Sequence, residues 1–507
     1  LDRPWVASYP PGVPPTYRLP TVRLPRLLDD AARDFPQHTA VVAGRVELTY
    51  EQLHDQVDIH TRALEHQGIG EGDRILVMLE TGISLLIVLI ALWRRGATAV
   101  PVPADAAADQ VAMAATEAGV LAVMGTAQAV SALEEHDAIP RVSIIVAGDE
   151  WRVPGTGRRL LRTPRLPRIR VPRPRVGHRA GRSPERAPDD ASAGPDDASV
   201  VYTLRDLLDD AARAAVESAA AACGDAVDPT DLLGTEASSS APPVGQAETA
   251  TVDGPALVAV GLGPGGVTAV EHSHRTLLAT AFQSRLWVPD VQAARERILV
   301  AEPLHDIVGL AIGVLAALLS GATTILLDDP SVSGLAKAIE RHRPTLLVAR
   351  SGRVVHLLDE GEAAKRDLTS LRVCLAVGEG LPDPVARDLE RRSGGARFRT
   401  LYGCGDAAPI THGQPVYGRV IPTAMGLPVT DTLAVVVNPD DMSTLRAVDE
   451  AGLLLVRGPQ IPEVGTACAD GRSVDGWLVT DTVARVNGDG WFTIVGQRDQ
   501  LLVRAGD

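Results

Sequence analysis

The sequence predicts an α/β protein, a parallel sheet covered by helices rich in small residues, and two observations carry that prediction. Of the 507 residues 45% are hydrophobic but only 3% are aromatic, so the interior must be assembled from Ala, Val, Leu and Ile. That palette suits buried parallel strands with helices packed on them. The second observation is pattern: short apolar runs alternate with helix-like segments in two blocks, 1–150 and 254–400. The length, with 22% charged residues, suits a soluble chain of several domains or subdomains.

Each element follows from local signals. Leu48 to Gln67 reads as a helix entered through Thr49, with Glu51 and Gln52 in its first turn. Arg74 to Leu79 is a short apolar strand, Ile83 to Arg94 an apolar helix closed by Gly96, and Ala99 to Val102 the next strand. From 151 to 253 the composition turns to Arg/Pro, then to Asp/Ala/Ser, which predicts a disordered insert. The segment LLDDAAR at 27–33 recurs at 207–213, by coincidence or by a short duplication, and is no repeat architecture. Ile307 to Leu327 is uncharged and long enough to suggest a membrane span. Gly309, Gly313, Ser320 and Gly321 interrupt it, so a buried helix, a turn and a strand are expected instead.

Charge and cysteine usage narrow the function classes. A net charge of -15 argues against nucleic-acid binding. The exception is Arg152–Arg186, with twelve Arg and one acid, Glu185. Its frequent prolines predict an extended linker. The competing reading is a basic strip touching an anionic membrane surface or the chain's own acidic body. Cys223, Cys374, Cys404 and Cys468 are far apart with no CxxC pair, which reads as reduced thiols in a cytoplasmic protein without zinc or disulfides. Residues 1–36 show no secretory leader pattern.

Five motifs carry chemistry. The run Gly261-Leu262-Gly263-Pro264-Gly265-Gly266 precedes Glu271-His272-Ser273-His274. Such a turn is either a plain loop or a cradle of backbone N–H groups for phosphate, which a cationic side chain usually completes. No Lys or Arg lies between Gly254 and His274. The others are Gly378-Glu379-Gly380-Leu381-Pro382, Leu401-Tyr402-Gly403-Cys404-Gly405-Asp406, Leu48-Thr49-Tyr50-Glu51-Gln52-Leu53 and Gly476-Trp477-Leu478-Val479-Thr480-Asp481. In order and spacing they resemble the acyl-adenylate-forming superfamily of acyl-CoA synthetases, peptide-synthetase adenylation domains and luciferase. The resemblance covers 1–150 and 254–507, and the opening PWVASYPPGVP is similar to long-chain fatty acyl-CoA synthetases.

The resemblance implies two wound βα subdomains (1–150 and 254–400), a small barrel-like β subdomain (401–495) and a hinge (496–507) containing Asp499. The family's mobile C-terminal domain would follow, and is expected to be absent from this chain. It also implies ATP or AMP held by Gly263, Gly265 and Gly266 at the phosphates and by Gly378, Glu379, Gly380 and Tyr402 at adenine. Mg²⁺ would sit at Asp406 and the acyl group near His305 or Asp306, the register leaving both open. Coenzyme A would be used only by an active ligase.

Departures from the family pattern are as informative. The phosphate-loop Lys position holds Thr268, the next Gly is Ala269, and the loop is one residue short. The ribose-binding carboxylate falls one place early, as Asp481 in Thr480-Asp481-Thr482, and Gln497 takes the place of an Arg, with Arg498 beside it. The only lysines, Lys337 and Lys365, lie in helix-like segments. Two readings follow: a degenerate synthetase-like protein that binds a nucleotide, an acyl group or a protein partner, or an active AMP-forming fatty acid ligase whose C-terminal domain lies outside this chain.

Overall fold

A computed structural model describes residues 3–126, 129, 143–146, 251–263, 266–359, 365–378, 380–462, 472–474 and 476–498. The basic strip Arg152–Arg186, nearly all of the insert, and Gly265, Glu379 and Asp499 lie outside these described residues.

Before the insert the chain forms α1 (Pro25–Asp34), β1 (Thr39–Ala43), β2 (Val46–Thr49), α2 (Tyr50–His66) and β3 (Arg74–Met78). It continues through α3 (Ile83–Arg95), β4 (Thr98–Pro101), α4 (Ala108–Glu117), β5 (Ala122–Gly125) and β6 (Ser143–Val146). After it come β7 (Pro255–Gly263), β8 (Gly266–Ser273), α5 (His274–Trp287), β9 (Arg297–Val300), β10 (Thr323–Leu326) and α6 (Val332–His342). Next are β11 (Leu346–Arg350), α7 (Ser351–Asp359), β12 (Val373–Val377), α8 (Asp383–Arg392), β13 (Arg397–Cys404), β14 (Ala408–Gly413) and β15 (Leu427–Pro428). The last stretch holds β16 (Leu433–Val437), β17 (Gly452–Arg457), β18 (Arg472–Val474), β19 (Trp477–Val486) and β20 (Phe492–Gln497).

Local signals act as the sequence suggests. Thr49 closes a reciprocal capping box with Gln52, each side chain accepting from the other's backbone N–H, and this starts α2. Gly96, at φ 77°, ends α3 in the left-handed conformation that glycine alone adopts cheaply.

Sheet membership crosses the segments drawn from composition. A nine-stranded sheet runs β15-β14-β13-β12-β11-β9-β10-β1-β2, and a six-stranded one runs β6-β5-β3-β4-β7-β8. So β1 and β2 join the sheet built after the insert, while β7 and β8 close the one built before it. Boundaries at 150 and 254 therefore do not separate the sheets. Trp93 Nε1 donates to the Ala256 carbonyl at 2.8 Å, and the Tyr50 hydroxyl to that of Ala322 at 2.7 Å, tying the two parts together through buried polar tips. The β-rich unit is a five-stranded antiparallel sheet that starts at Leu433 rather than 401, because β13 to β15 extend the large sheet.

The apolar stretch 307–327 is buried throughout: a π-helical segment Val308–Leu315 runs into an α-helical turn Ala316–Leu319 and then β10. Among the described residues no helix is long and apolar enough to cross a membrane. Two glycines set its approach to the sheet. A Cβ at Gly309 would lie 2.4 Å from the Pro303 carbonyl oxygen, and one at Gly313 would lie 2.8 Å from the Val300 methyls. Gly309→Ala is therefore expected to destabilise by about 1–3 kcal/mol by overpacking, read as a lowered urea midpoint. An unchanged midpoint would show that the 302–306 loop yields freely.

Candidate functional site at the strand ends

The large sheet has a parallel core, β13-β12-β11-β9-β10-β1. From β9 the chain passes to β10 on one side, while β11, β12 and β13 build out on the other. The π-helical segment after β9 packs in the main core cluster, and α6, α7 and α8 pack in a second one. Loops leaving β9 and β11 thus diverge to opposite faces and open a crevice at their carboxyl ends, the place where open α/β sheets take ligands.

Charged groups line this crevice. Glu302 and Asp306 follow β9, and Arg350 is the last residue of β11. The Arg350 Nε and Nη2 donate to one oxygen of Asp306, at 2.9 and 2.6 Å, and its amide donates to Glu302 at 2.8 Å. Arg353 Nε reaches the same Glu302 oxygen at 3.1 Å, and its Nη1 donates to the Pro330 carbonyl. Glu302 is buried, whereas the Arg350 side chain is 48% exposed. Beside Arg350 in register stands Val377, followed by Gly378 and Gly380 at φ 132° and 109°. These angles put the turn in glycine's territory. The Gly378 amide donates to the Leu401 carbonyl at 2.9 Å and the Leu381 amide to Thr400 Oγ1 at 3.3 Å, so the strip is stapled to β13. A cavity of about 180 Å³ adjoins the strip, lined among others by Leu381, Phe398, Thr400 and Gln414.

Asp406 completes the row after β13 and touches the other sheet. His272 of β8 donates from Nε2 to the Asp406 carbonyl at 2.7 Å. A Cβ at Gly261 would meet the Asp406 carboxylate at 3.1 Å and the Thr268 hydroxyl at 2.4 Å. Burial pushes the Asp406 carboxyl above its ordinary pKa, Asp306 pushes the same way, and Arg350 opposes both.

The described glycines of the glycine-rich run lie in paired strands. Gly261 and Gly263 belong to β7 and Gly266 to β8, and Gly263 faces Gly266 at the tip of the antiparallel pair. Thr268 pairs with Gly261 within the ladder, and Ala269 is buried. The two residues between these facing glycines, 264 and 265, lie outside the described residues.

The small sheet supplies the other wall. Tyr402 is buried, its hydroxyl 2.5 Å from Thr482 Oγ1, and its ring stands edge-on to His412 with centroids 6.2 Å apart. Along β19, Thr480 and Thr482 are buried and Asp481 between them is exposed. Strand alternation thus sends the displaced carboxylate to the far face, and Thr482 meets Tyr402 in its stead. Thr482 pairs with Gln497 on β20, and Arg498 follows at the edge of the described chain.

His305 is half-buried on the loop after β9. Burial lowers its pKa, and the charges of Asp306 and Asp105 pull the other way. The structure therefore groups Asp306, Gly378, Gly380 and Asp406 around one crevice with Gly261 and Thr268 against it, and leaves Asp481 outside. Glu302 and Arg350 were not signalled by any motif, and Thr482 lay in one only as the neighbour of Asp481.

A divalent ion, which the resemblance implies at Asp406, finds a poor set of oxygens. Mg²⁺ needs octahedral oxygen ligation and usually takes one or two carboxylates besides water and phosphate. Asp306 is engaged by Arg350 and by the Val308 amide at 2.9 Å, and Glu302 by Arg350 and Arg353. Among the described residues no three His, Cys, Asp or Glu are grouped to hold a metal. Of the three crevice carboxylates only Asp406 is left without a described donor, so the residues present offer a divalent ion one unengaged carboxylate.

Against known proteins, the chain matches the family described as AMP-binding enzyme over residues 28–203 and 268–463. It is 28% identical over 249 residues to a long-chain-fatty-acid–CoA ligase of Bacillus subtilis, covering 48% of this chain and 43% of that protein. The chain thus spans less than half the length of that relative. It is 24% identical over 487 residues to 4-coumarate–CoA ligase 2 of Oryza sativa, covering 93% of this chain and 74% of the relative. Among solved structures, a benzoate CoA ligase from Burkholderia xenovorans LB400 superposes with a TM-score of 0.67 at 15% identity, over 95% of this chain and 81% of the other. That likeness is one of fold.

Proposed function

Because the chain belongs to the AMP-binding enzyme family, we propose that it is an acyl-CoA synthetase-like protein that binds an adenylate-type nucleotide but has lost efficient adenylating chemistry. The observation that carries this reading is the hairpin. Its cation position is Thr268, paired with Gly261, and the Asp406 carboxylate lies against the same glycine. A triphosphate entering the crevice meets a negative charge where a positive one is needed. Loss of one preorganised stabiliser of developing charge costs about 10²–10³ in rate.

Retention of binding is supported by Gly378 and Gly380, whose positive φ angles follow the end of β12, and by Tyr402 on the neighbouring strand β13. An acyl partner of fatty-acid type is supported by the fatty acid named in the Bacillus relative and by the apolar segment behind the β9 loop. The second reading, an active AMP-forming ligase working with a domain or chain beyond this one, rests on the same retained groove.

Calorimetric titration with ATP·Mg²⁺, AMP and a fatty acyl-adenylate analogue, followed by pyrophosphate exchange, tests the choice. Binding of AMP or the analogue without measurable exchange is expected. Rapid exchange by the purified chain would favour the second reading, and absence of all binding would leave neither.

A further inference from the structure

We infer that Arg350 is the resident cation of the crevice: its guanidinium takes the place of a divalent ion and fits the site to a single phosphate group, such as AMP or an acyl-adenylate, in preference to a triphosphate. The inference rests on the nucleotide-binding reading above and names the residue that would meet the phosphate.

Topology makes the first argument. Arg350 ends β11 at the point where the loops of β9 and β11 part, in register with Val377, which leads into Gly378. A cationic side chain at that place stands at the mouth of the crevice, not behind it. Nearly half of its surface is open to solvent.

Donor geometry makes the second. An arginine has five N–H donors in a planar fork. Two of them, on Nε and Nη2, converge on a single Asp306 oxygen. Among the described residues nothing accepts from Nη1. Asp306 therefore aims the guanidinium and leaves one edge for a phosphate, which pairs with such a fork through parallel hydrogen bonds.

Charge makes the third. Glu302 is shared by the Arg350 amide and Arg353, Asp306 is paired with Arg350, and no described donor bonds the Asp406 carboxylate. Already paired with Asp306, Arg350 offers only its remaining N–H donors and part of its charge, which suits one phosphate group. It leaves the roughly four charges of a triphosphate largely uncompensated beside Asp406, a carboxyl that burial first and Asp306 second already push above its ordinary pKa.

The test compares AMP with adenosine by equilibrium titration, in EDTA and in Mg²⁺, for the wild type, Arg350→Gln and Arg350→Lys. AMP is expected to bind the wild type within about twofold of the same affinity in both buffers. Arg350→Gln is expected to weaken AMP about 10- to 100-fold, the worth of a charge-assisted hydrogen bond, and to leave adenosine unchanged. Arg350→Lys should recover part of the AMP affinity, since it keeps the charge and loses the fork. A strict Mg²⁺ requirement, or equal losses for AMP and adenosine in Arg350→Gln, would overturn the assignment while leaving nucleotide binding in place. If neither ligand binds the wild type, both readings fall.

Discussion

Unfolding free energy is expected to drop by several kcal/mol as the pH falls from 6.5 to 4.5, with three histidines responsible. His272, His274 and His412 are buried at 0%, 1% and 0% exposure. Their pKa values are depressed from 6.5 to about 4, 3 and 3, in each case chiefly by burial. Local geometry explains why a second proton is refused. His274 has Arg23 Nε at 3.2 Å from one ring nitrogen and the Leu24 amide at 3.4 Å from the other, so donors face both sides. His412 lies against Phe492 with ring centroids 4.8 Å apart and meets Thr411 at one nitrogen only.

The sign follows from proton counting. Above pH 6.5 neither state protonates these rings, and they contribute no slope. Between 6.5 and about 4 the unfolded chain binds protons that the folded chain excludes, so stability falls as the pH falls. Each such proton is worth about 1.4 kcal/mol per pH unit, hence about 4 for all three at the steepest point. Below about pH 4 His272 begins to charge in the fold and the slope eases. Urea midpoints between pH 7.5 and 4.5 measure this directly, and His412→Gln should remove about a third of the slope. A midpoint that stays level from pH 7.5 to 5 would refute the account.

Glu302→Ala is expected to cost about 3 kcal/mol of stability. The carboxylate is 5% exposed and receives the Arg350 amide and the Arg353 guanidinium. Removing one member of a buried ion pair leaves the other uncompensated, at about 3–5 kcal/mol. The lower end applies because Arg353 keeps the Pro330 carbonyl and is 22% exposed at its side chain. Glu302→Gln, which retains an acceptor for the amide, should cost about half as much. Chemical denaturation of the three proteins decides it, and equal midpoints for wild type and Glu302→Ala would mean that the crevice is held from elsewhere.

Legibility in the sequence followed the range of the forces involved. The α2 capping box and the Gly96 helix end are set by residues within one turn of each other, and were readable as such. The outward turn of Asp481 was readable too, because side-chain alternation along a strand needs only the parity of a position. The missing cation at Thr268 was visible as a bare residue identity. Its structural setting was not: the strands flanking the turn pair in an antiparallel ladder that runs up to Gly263 and Gly266.

By itself the sequence determined the α/β class, the helix ends, the strand faces and the family, since these depend on local hydrogen bonding, side-chain period and motif order. The tertiary structure alone decided which strands share a sheet and which charges share a crevice. Arg350 meets Glu302 and Asp306 only because β11 pairs in parallel with β9, some fifty residues upstream. Contacts of that kind depend on long-range strand pairing, whose loop-closure entropy and register are not written in any short window of residues.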